Sequence, residues 1–292
     1  MIAARRFARS LILALSLTPC VVPQDQPGRE APSPAQEVRE RIVVSDIDDT
    51  IKWSDILNRG HTFLRSALSA KTAFKGMPEL YTALAKGGVS FAYVTGSPDL
   101  ILPYLDKHAL PQRIVKKNRF PAGPISMRPL PSGTEEFKVK TIDRIIAAHA
   151  DASFILIGDN GERDPVTYHR LRSNQALKTR IRDVYIHRLY NGGRSADLYP
   201  GQRPYLTAAE LAAMLYGSGW LDEKDLHSIL QIVSKNFKSD KRSDRDLALP
   251  YAAELRAAQI ADIYRSLPPM QDPQDKVLLD EIHQMIRNRL TD

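Results

Sequence analysis

Three acidic residues within four positions follow directly on an apolar run early in the chain. The stretch VVSDIDDTIK, residues 43–52, contains Asp46, Asp48 and Asp49. Carboxylates held within a few ångströms of one another cannot all stay ionised without a counter-charge. A hard divalent cation with oxygen ligands supplies that charge, and magnesium suits a site that contains one or two carboxylates and a phosphate.

Polar residues also follow two later apolar runs, FAYV and FILI. They are Thr95, Gly96, Ser97, Asp159, Glu162 and Asp164. The segment TGSPDL is typical of a helix start, whose free backbone N–H groups bind anions. Lys138 adds a positive charge before FILI. A nucleophilic carboxylate, a cation, N–H donors and a lysine are the parts that phosphoryl transfer needs.

Short apolar strands alternate with amphipathic helices in the first two thirds of the chain. The predicted strands are residues 41–45, 91–94, 154–158 and 181–189. This alternation predicts an α/β fold with an open, mostly parallel Rossmann-like sheet and helices on both faces. Ligands bind at the carboxyl ends of the strands in such sheets, so we expect the polar residues after each strand to meet there.

The remaining pattern divides the chain into five segments. Residues 1–23 resemble a signal peptide or lipoprotein signal, and residues 24–40 form a Pro-rich linker. Residues 41–190 form the α/β domain and residues 191–205 a connector. From residue 206 to 292 the apolar residues recur at three- and four-residue spacing, which predicts an all-helical C-terminal region.

Charge and cysteine content indicate where the protein acts. The formal charge of +7 falls to +4 without Arg5, Arg6 and Arg9, so no nucleic-acid partner is expected. Three arginines before an apolar run predict export to the periplasm or cell envelope, with an uncleaved anchor as the alternative. Cys20 is the single cysteine, and it is a candidate site for a lipid anchor.

Four motifs in order resemble those of the haloacid dehalogenase superfamily of phosphohydrolases. They are Asp46-Ile47-Asp48-Asp49-Thr50 as DxDx(T/V), Thr95 at the end of the next strand, Lys138, and Gly158-Asp159 with Asp164 as GDxxxxD. A narrower resemblance rests on SDIDDTIK, YVTGSP, FPAGPISMRPL and IGDNGERDPVTY. These segments are similar to the phosphatidate phosphatase catalytic domain of fungal actin-patch proteins and its bacterial relatives, over roughly residues 41–190.

The resemblance implies a role for each matching residue. Asp46 would attack phosphorus, and Asp48 would act as acid and then base. The side chains of Asp46 and Asp159 and the backbone carbonyl of Asp48 would hold Mg²⁺, with Asp164 closing the site. The residues implied to bind the phosphoryl oxygens are Thr95, Gly96 and Lys138. Lys140 is a second candidate for the lysine, and Thr95 and Asn160 stand where relatives often have serine.

Superfamily members usually cover the site with an inserted cap domain. About 45 residues separate Asp48 from Thr95, and the next interval contains a helix and the FPAGPISMRPLPSG loop, so no large cap is expected. An open site suits a phosphorylated lipid such as phosphatidate at a membrane surface. The alternatives are a phosphatase of small soluble phosphomonoesters and a non-catalytic envelope binding or scaffold protein on the same fold.

Overall fold

The centre of the fold is an open sheet of six parallel strands. The computed structural model describes residues 39–54, 73–98, 115–190, 197–249 and 255–291. The strand order is β3-β2-β1-β4-β5-β6, with strands β1 (Arg41–Ser45), β2 (Val89–Pro98), β3 (Ile125–Arg128), β4 (Ser153–Asp159), β5 (Ile181–His187) and β6 (Gln202–Tyr205). The predicted α/β class with a parallel Rossmann-like sheet is confirmed.

Helices cover both faces of this sheet. In the described residues they are α1 (Met77–Lys86), α2 (Thr134–Ala148), α3 (Asp164–Ser173), α4 (Gln175–Lys178), α5 (Ala208–Gly217), α6 (Glu223–Phe237), α7 (Arg242–Ala248), α8 (Ala257–Arg265) and α9 (Pro273–Thr291). Helices α2, α3 and α4 pack on one face, while α1, α5 and α6 belong to the core of the other.

Strand β1 shows why the apolar runs are continuous rather than alternating. Val43 belongs to one hydrophobic cluster, whereas Ile42 and Val44 belong to the cluster on the opposite face. β1 pairs with β2 on one side and β4 on the other, so both of its edges and both of its faces are covered. A strand buried on both faces needs apolar residues at every position.

The first helix of the C-terminal region lies deep in the same core as the sheet. Every residue from Ala208 to Leu215 in α5 is buried. A capping box starts this helix, because the Thr207 side chain accepts from the backbone N–H of Ala209 at 3.1 Å and Glu210 accepts from the backbone N–H of Thr207 at 2.8 Å. The division at residues 190 and 206 stays a prediction, and the buried cluster contains residues from both sides of it.

Two short edge strands were not predicted from the sequence. β3 lies inside the stretch expected to be a loop, and β6 lies inside the predicted connector. Each has only four residues, and β6 includes Pro204, which only an edge position tolerates because proline lacks an N–H. Helix α7 forms in a charged segment of alternating signs, where its charged side chains stay exposed or partly exposed.

Several predictions concern residues outside the described ranges. The signal segment and most of the linker precede residue 39, and residues 99–114, in the interval where a helix is expected after TGSPDL, are also undescribed. The intervals expected to lack a large cap include residues 55–72 and 99–114, so that expectation stays a prediction. Within the described ranges, no helix combines the length and apolar character that crossing a membrane requires.

Candidate active site

The first acidic motif starts where β1 leaves the sheet. The backbone N–H of Asp46 donates to the carbonyl of Ile157 in β4 at 2.9 Å, which extends the β1 ladder by one residue. Asp159, two residues after Ile157, is the last residue of β4. The parallel arrangement therefore brings both acids to the carboxyl edge of neighbouring strands, as the sequence predicted.

A buried lysine joins two of the acids. The Lys138 ammonium lies 2.8 Å from Asp46 Oδ1 and 2.5 Å from Asp164 Oδ1. All three side chains are at most 2% exposed. Lys138 reaches this position from α2, and Asp164 is the first residue of α3. Two helices and one strand therefore contribute to a single ion-pair cluster.

Gly158 and Asp164, the first and last residues of the GDxxxxD motif, pack closely against each other. A Cβ atom at this position would lie 2.8 Å from Asp164 Cγ, which is closer than real side chains approach. The Asp164 carboxylate also accepts a hydrogen bond from the backbone N–H of Asp159 at 3.3 Å. Glycine is required here because the turn after β4 folds Asp164 back onto the strand end.

The acid cluster fits a divalent cation. Carboxylate oxygens of Asp46, Asp159 and Asp164 lie within 4.8 Å of one another, so these residues could together hold a metal ion. One of these oxygens, Asp159 Oδ2, is buried without a hydrogen-bond partner. A buried carboxylate oxygen is costly unless something positive pairs with it. The donor set consists only of oxygen atoms, which hard cations prefer.

A second group of possible metal ligands occurs between α6 and α9. His227 Nδ1 lies 2.6 Å from Asp275 Oδ1, and Asp272 accepts from the backbone N–H of Gln274 at 2.7 Å. These bonds account for the group as a contact between two helices and a helix N-cap. The cluster at Asp46 is the stronger metal candidate because it is fully buried and has an unpaired carboxylate oxygen.

Burial dominates the electrostatics of the acid cluster. Burial raises the pKa of Asp46 well above 3.8; Lys138 opposes the shift and Asp164 adds to it. Burial and the charge of Asp164 likewise raise the pKa of Asp159. Burial lowers the pKa of Lys138, but Asp164 and Asp46 outweigh it, so the net shift is upward and the ammonium stays charged. The single positive charge of Lys138 thus lies among the carboxyl groups of Asp46, Asp159 and Asp164.

We expect the metal-free protein to lose stability as pH rises. The folded state binds protons at Asp46 and Asp159 more tightly than the unfolded chain does, so the loss begins above a pH of about 3.8. Added divalent cation should therefore raise the melting temperature, and should raise it more at pH 8 than at pH 5. Asp159→Asn should remove most of this gain, and an equal gain in that variant would contradict a metal site here.

Asp48 faces a different set of partners. Its Oδ2 atom accepts hydrogen bonds from the hydroxyls of Thr95 at 2.9 Å and Ser97 at 2.7 Å. Its Oδ1 atom accepts from the Ser54 hydroxyl at 2.6 Å and lies 3.9 Å from the Lys52 ammonium. Burial raises the pKa of Asp48, but Lys52 and the three hydroxyls outweigh burial and lower it overall.

Gly96 allows the second motif to approach the start of α2. A Cβ atom at Gly96 would lie 2.7 Å from Thr134 Cγ2 and 2.8 Å from Glu162 Oε2. Glu162 therefore lies over the end of β2 at Gly96, where phosphate binding is predicted. Burial raises the pKa of this carboxyl, and Lys138 partly opposes the shift. Sequence reasoning noted Glu162 after FILI without giving it a role.

Asp49, the third acid of the opening motif, stabilises the loop. Its carboxylate accepts from the backbone N–H of Ser54 at 2.7 Å and from the Tyr190 hydroxyl at 2.7 Å. Its φ angle of 55° is uncommon for a residue other than glycine. These bonds account for the left-handed turn that separates Asp48 from the apolar residue Ile51. Asp49 is thus distinct from the metal cluster.

The structure distinguishes the two candidate lysines. Lys138 points into the acid cluster, whereas Lys140 is 63% exposed and lies 3.3 Å from Glu136 on the surface. On a helix, residues two positions apart face different directions. Sequence reasoning did not identify Lys52 or Ser54, because their contact with Asp48 depends on how the loop after β1 folds back.

The structure brings the predicted site residues together in two adjoining sets. Asp46, Lys138, Asp159 and Asp164 form the acid cluster, and Asp48 and Thr95 form the hydroxyl-lined set. Gly96 follows Thr95 in the irregular end of β2, so the structure places residues 95–98 of the TGSPDL segment in a strand and not at the predicted helix start. The use of the Asp48 backbone carbonyl as a metal ligand stays a prediction. The two sets meet at the loop of residues 46–48.

Comparison with known families agrees with this geometry. The family model of the phosphatidate phosphatase APP1 catalytic domain matches residues 41–188, which is 148 of the 292 residues. The match starts at the first residue of β1 and contains both sets of site residues. No curated protein matches the chain. The chain therefore belongs to the family of the APP1 catalytic domain, a family of phosphatidate phosphatases and hence of phosphoric monoester hydrolases.

Proposed function

We propose that the protein is a magnesium-dependent phosphatase that hydrolyses phosphatidate through an aspartyl-phosphate at Asp46. The observation that carries this proposal is the pairing of Asp46 with the Lys138 ammonium at 2.8 Å beside an Asp48 carboxylate held by hydroxyl groups. The first carboxylate can act as nucleophile and the second can transfer protons. Membership of a phosphatidate phosphatase family supports a phosphorylated lipid as substrate.

The proposed reaction has two steps. A carboxylate oxygen of Asp46 attacks phosphorus and forms a new P–O bond while the bond to the glycerol oxygen breaks. Asp48 gives its proton to that oxygen, which leaves as the hydroxyl of diacylglycerol. Water then attacks phosphorus as Asp48 takes its proton, and the bond to Asp46 breaks to release inorganic phosphate.

The chain offers the residues that magnesium needs. The side chains of Asp46, Asp159 and Asp164 and the backbone carbonyl of Asp48 would hold the ion. Bound magnesium would offset the negative charge of these carboxylates and of the phosphoryl group. Lys138, Thr95 and the backbone N–H of Gly96 would bind the phosphoryl oxygens.

The hydroxyl groups around Asp48 suggest how it gains a proton. In the free protein Lys52 and three hydroxyls outweigh burial and lower the pKa of Asp48. The hydroxyls of Thr95 and Ser97 lie where a phosphoryl oxygen would compete for them. If they turn to the substrate, Asp48 loses two hydrogen bonds that favour its charged form, and its affinity for a proton rises.

Asp48→Asn is expected to slow the first step according to the leaving group. An alkyl phosphate needs a proton on its leaving oxygen, so we expect a loss of about 10²–10⁴-fold in single-turnover rate. An aryl phosphate with an acidic phenol should lose much less. Asp143→Asn on the exposed side of α2 is the control. Equal losses on both esters would contradict a role of Asp48 as general acid.

The function itself is tested by phosphate release from two substrates. Phosphatidate in mixed micelles and a small aryl phosphate are compared, each with magnesium and with chelator. Chelator-sensitive release that favours the lipid would support the proposal. Release from the aryl ester alone would favour a general phosphomonoesterase. No release from either would favour the non-catalytic binding or scaffold protein.

We also propose that the protein is exported and acts at a membrane surface. The support is the arginine-rich and apolar pattern of residues 1–23, with Cys20 at its end. Cell fractionation of the full chain and of Cys20→Ala tests this. Membrane association that disappears in the variant would support a lipid anchor at Cys20.

A further inference from the structure

One arginine outside the four motifs contacts the end of β2, where phosphate binding is proposed. Arg128 ends β3, the edge strand that pairs with β2. Its Nε atom donates to the carbonyl of Gly96 at 2.7 Å, and its Nη1 atom donates to the carbonyl of Ser132 at 2.6 Å. The stretch FPAGPISMRPL, which contains this arginine, has no role in the reaction as proposed above.

The first of these bonds determines how the Gly96–Ser97 peptide is oriented. In a trans peptide the carbonyl and the N–H point in opposite directions. The Gly96 carbonyl faces Arg128, and the N–H of Ser97 donates to Thr95 Oγ1 at 3.0 Å. Thr95 Oγ1 in turn donates to Asp48 Oδ2 at 2.9 Å. Arg128 is therefore at the end of a hydrogen-bond chain that reaches Asp48.

The second bond connects the same arginine to the helix that carries Lys138. Ser132 lies in the turn directly before α2, and Thr134 is the first residue of that helix. Thr134 packs so closely against Gly96 that a Cβ there would lie 2.7 Å from its Cγ2 atom. The guanidinium thus joins the end of β2 at Gly96 to the start of α2.

We propose that Arg128 is a positioning residue for phosphate binding. Its two N–H donors hold the end of β2 at residues 95–97 against the start of α2, so that Thr95, Gly96 and Lys138 reach the same phosphoryl group. This proposal rests on the function proposed above. Lysine cannot replace the arginine, because two carbonyls in different segments require two donors in a fixed plane.

The expected effect is on substrate positioning and not on folding alone. Misplacement of about 1 Å at a reacting centre can cost about 10²-fold in rate. We therefore expect Arg128→Ala and Arg128→Lys to lower kcat/KM for an aryl phosphate by about 100-fold, with KM raised as well as kcat lowered. Arg170→Ala is the matched control, because Arg170 pairs with Glu136 at 3.0 Å on the surface.

Chemical rescue separates positioning from a structural role. Millimolar guanidinium, well below denaturing concentrations, should restore part of the activity of Arg128→Ala, whereas ammonium should not. Arg170→Ala should match the wild type with and without guanidinium. Wild-type kcat/KM in Arg128→Ala would overturn the proposal, and so would a loss that guanidinium does not restore.

A binding measurement makes the failure of this proposal distinguishable from failure of the proposed function. Inorganic phosphate is titrated into the full-length wild type and Arg128→Ala by calorimetry. If the wild type binds phosphate without hydrolysing either ester, weaker binding in the variant supports the positioning role and equal binding overturns it. If the wild type neither binds phosphate nor releases it from an ester, both proposals fail.

Discussion

Asp46→Asn is expected to abolish phosphate release while the protein stays folded. An amide is a very poor nucleophile, so no aspartyl-phosphate can form, and we expect a loss on the order of 10⁴-fold or more in kcat. The backbone hydrogen bond from residue 46 to Ile157 does not involve the side chain and should persist. The measurement is release of inorganic phosphate at saturating substrate with magnesium.

The same substitution should not destabilise the metal-free protein. Burial raises the pKa of Asp46 well above 3.8, which means that its ionised form is disfavoured in the folded state. At neutral pH the uncharged amide avoids that cost, so the melting temperature in chelator should be unchanged or higher. Asp183→Asn, which removes a partly exposed acid 3.8 Å from Arg203, is the control. Near-wild-type turnover in Asp46→Asn would end the nucleophile assignment.

A covalent intermediate provides an independent check on Asp46. Rapid quenching of the wild type during turnover should trap phosphate on the protein as an acyl phosphate. Hydroxylamine should release it, because acyl phosphates react with that nucleophile. Asp46→Asn should trap none. If the wild type reacts without any covalent phosphate, water attacks the substrate directly and the proposed two-step path is wrong.

Lys138→Met is expected to reduce both stability and activity. It removes the cation from a cluster in which Asp46 and Asp164 lie 2.8 Å and 2.5 Å from the ammonium. Breaking a buried ion pair leaves an uncompensated charge and costs about 3–5 kcal/mol in the free energy of unfolding. Loss of one positive group that stabilises the transition state costs about 10²–10³-fold in kcat.

The control for this substitution lies on the same helix. Lys140→Met replaces an exposed lysine of the same helix α2. It makes the same change of side chain and of helix propensity as Lys138→Met, but it leaves the acid cluster intact. We expect little change in unfolding or in activity for this variant. Both proteins are compared by urea unfolding in chelator and by phosphate release. A Lys138→Met protein as stable as Lys140→Met would contradict the electrostatic argument.

Magnesium and pH should each offset part of the loss in Lys138→Met. A bound divalent cation replaces the missing positive charge, so added magnesium should restore stability more in this variant than in the wild type. Low pH should have the same effect, because protonation removes the repulsion among Asp46, Asp159 and Asp164. Activity should stay low under both conditions, because neither replaces the ammonium beside the phosphoryl group.

The sequence predicted the parts of the fold that depend on local pattern. β1, β2, β4 and β5 are central strands, and a strand buried on both faces is recognisable as an apolar run. β3 and β6 were missed because an edge strand needs no such run, and β6 contains Pro204. Their pairing with β2 and β5 depends on residues far away in the chain.

Part of the candidate site was likewise predictable from the sequence, and part was not. The positions of these residues around the predicted strands, and their resemblance to four known motifs, predicted a site that contains Asp46, Asp48, Thr95, Gly96, Lys138, Asp159 and Asp164. The contacts of Asp49, Lys52 and Arg128 were not predicted. Asp49 and Arg128 contact residues from distant segments, and Lys52 approaches Asp48 because the loop after β1 folds back on itself. The local sequence around a charged loop residue does not indicate which residue it will contact in the folded protein.

By itself, the sequence determined the α/β class, the order of four motifs, and the edge of the sheet where they meet. The class and the edge follow from periodicity and from the rule that parallel strands present their carboxyl ends together, and the motifs follow from their resemblance to a known superfamily. Only the tertiary structure decided that Lys138 and not Lys140 enters the acid cluster, and that α5 lies in the same core as the sheet. Both depend on how the helices rotate and pack against the sheet, which long-range burial determines and local sequence does not.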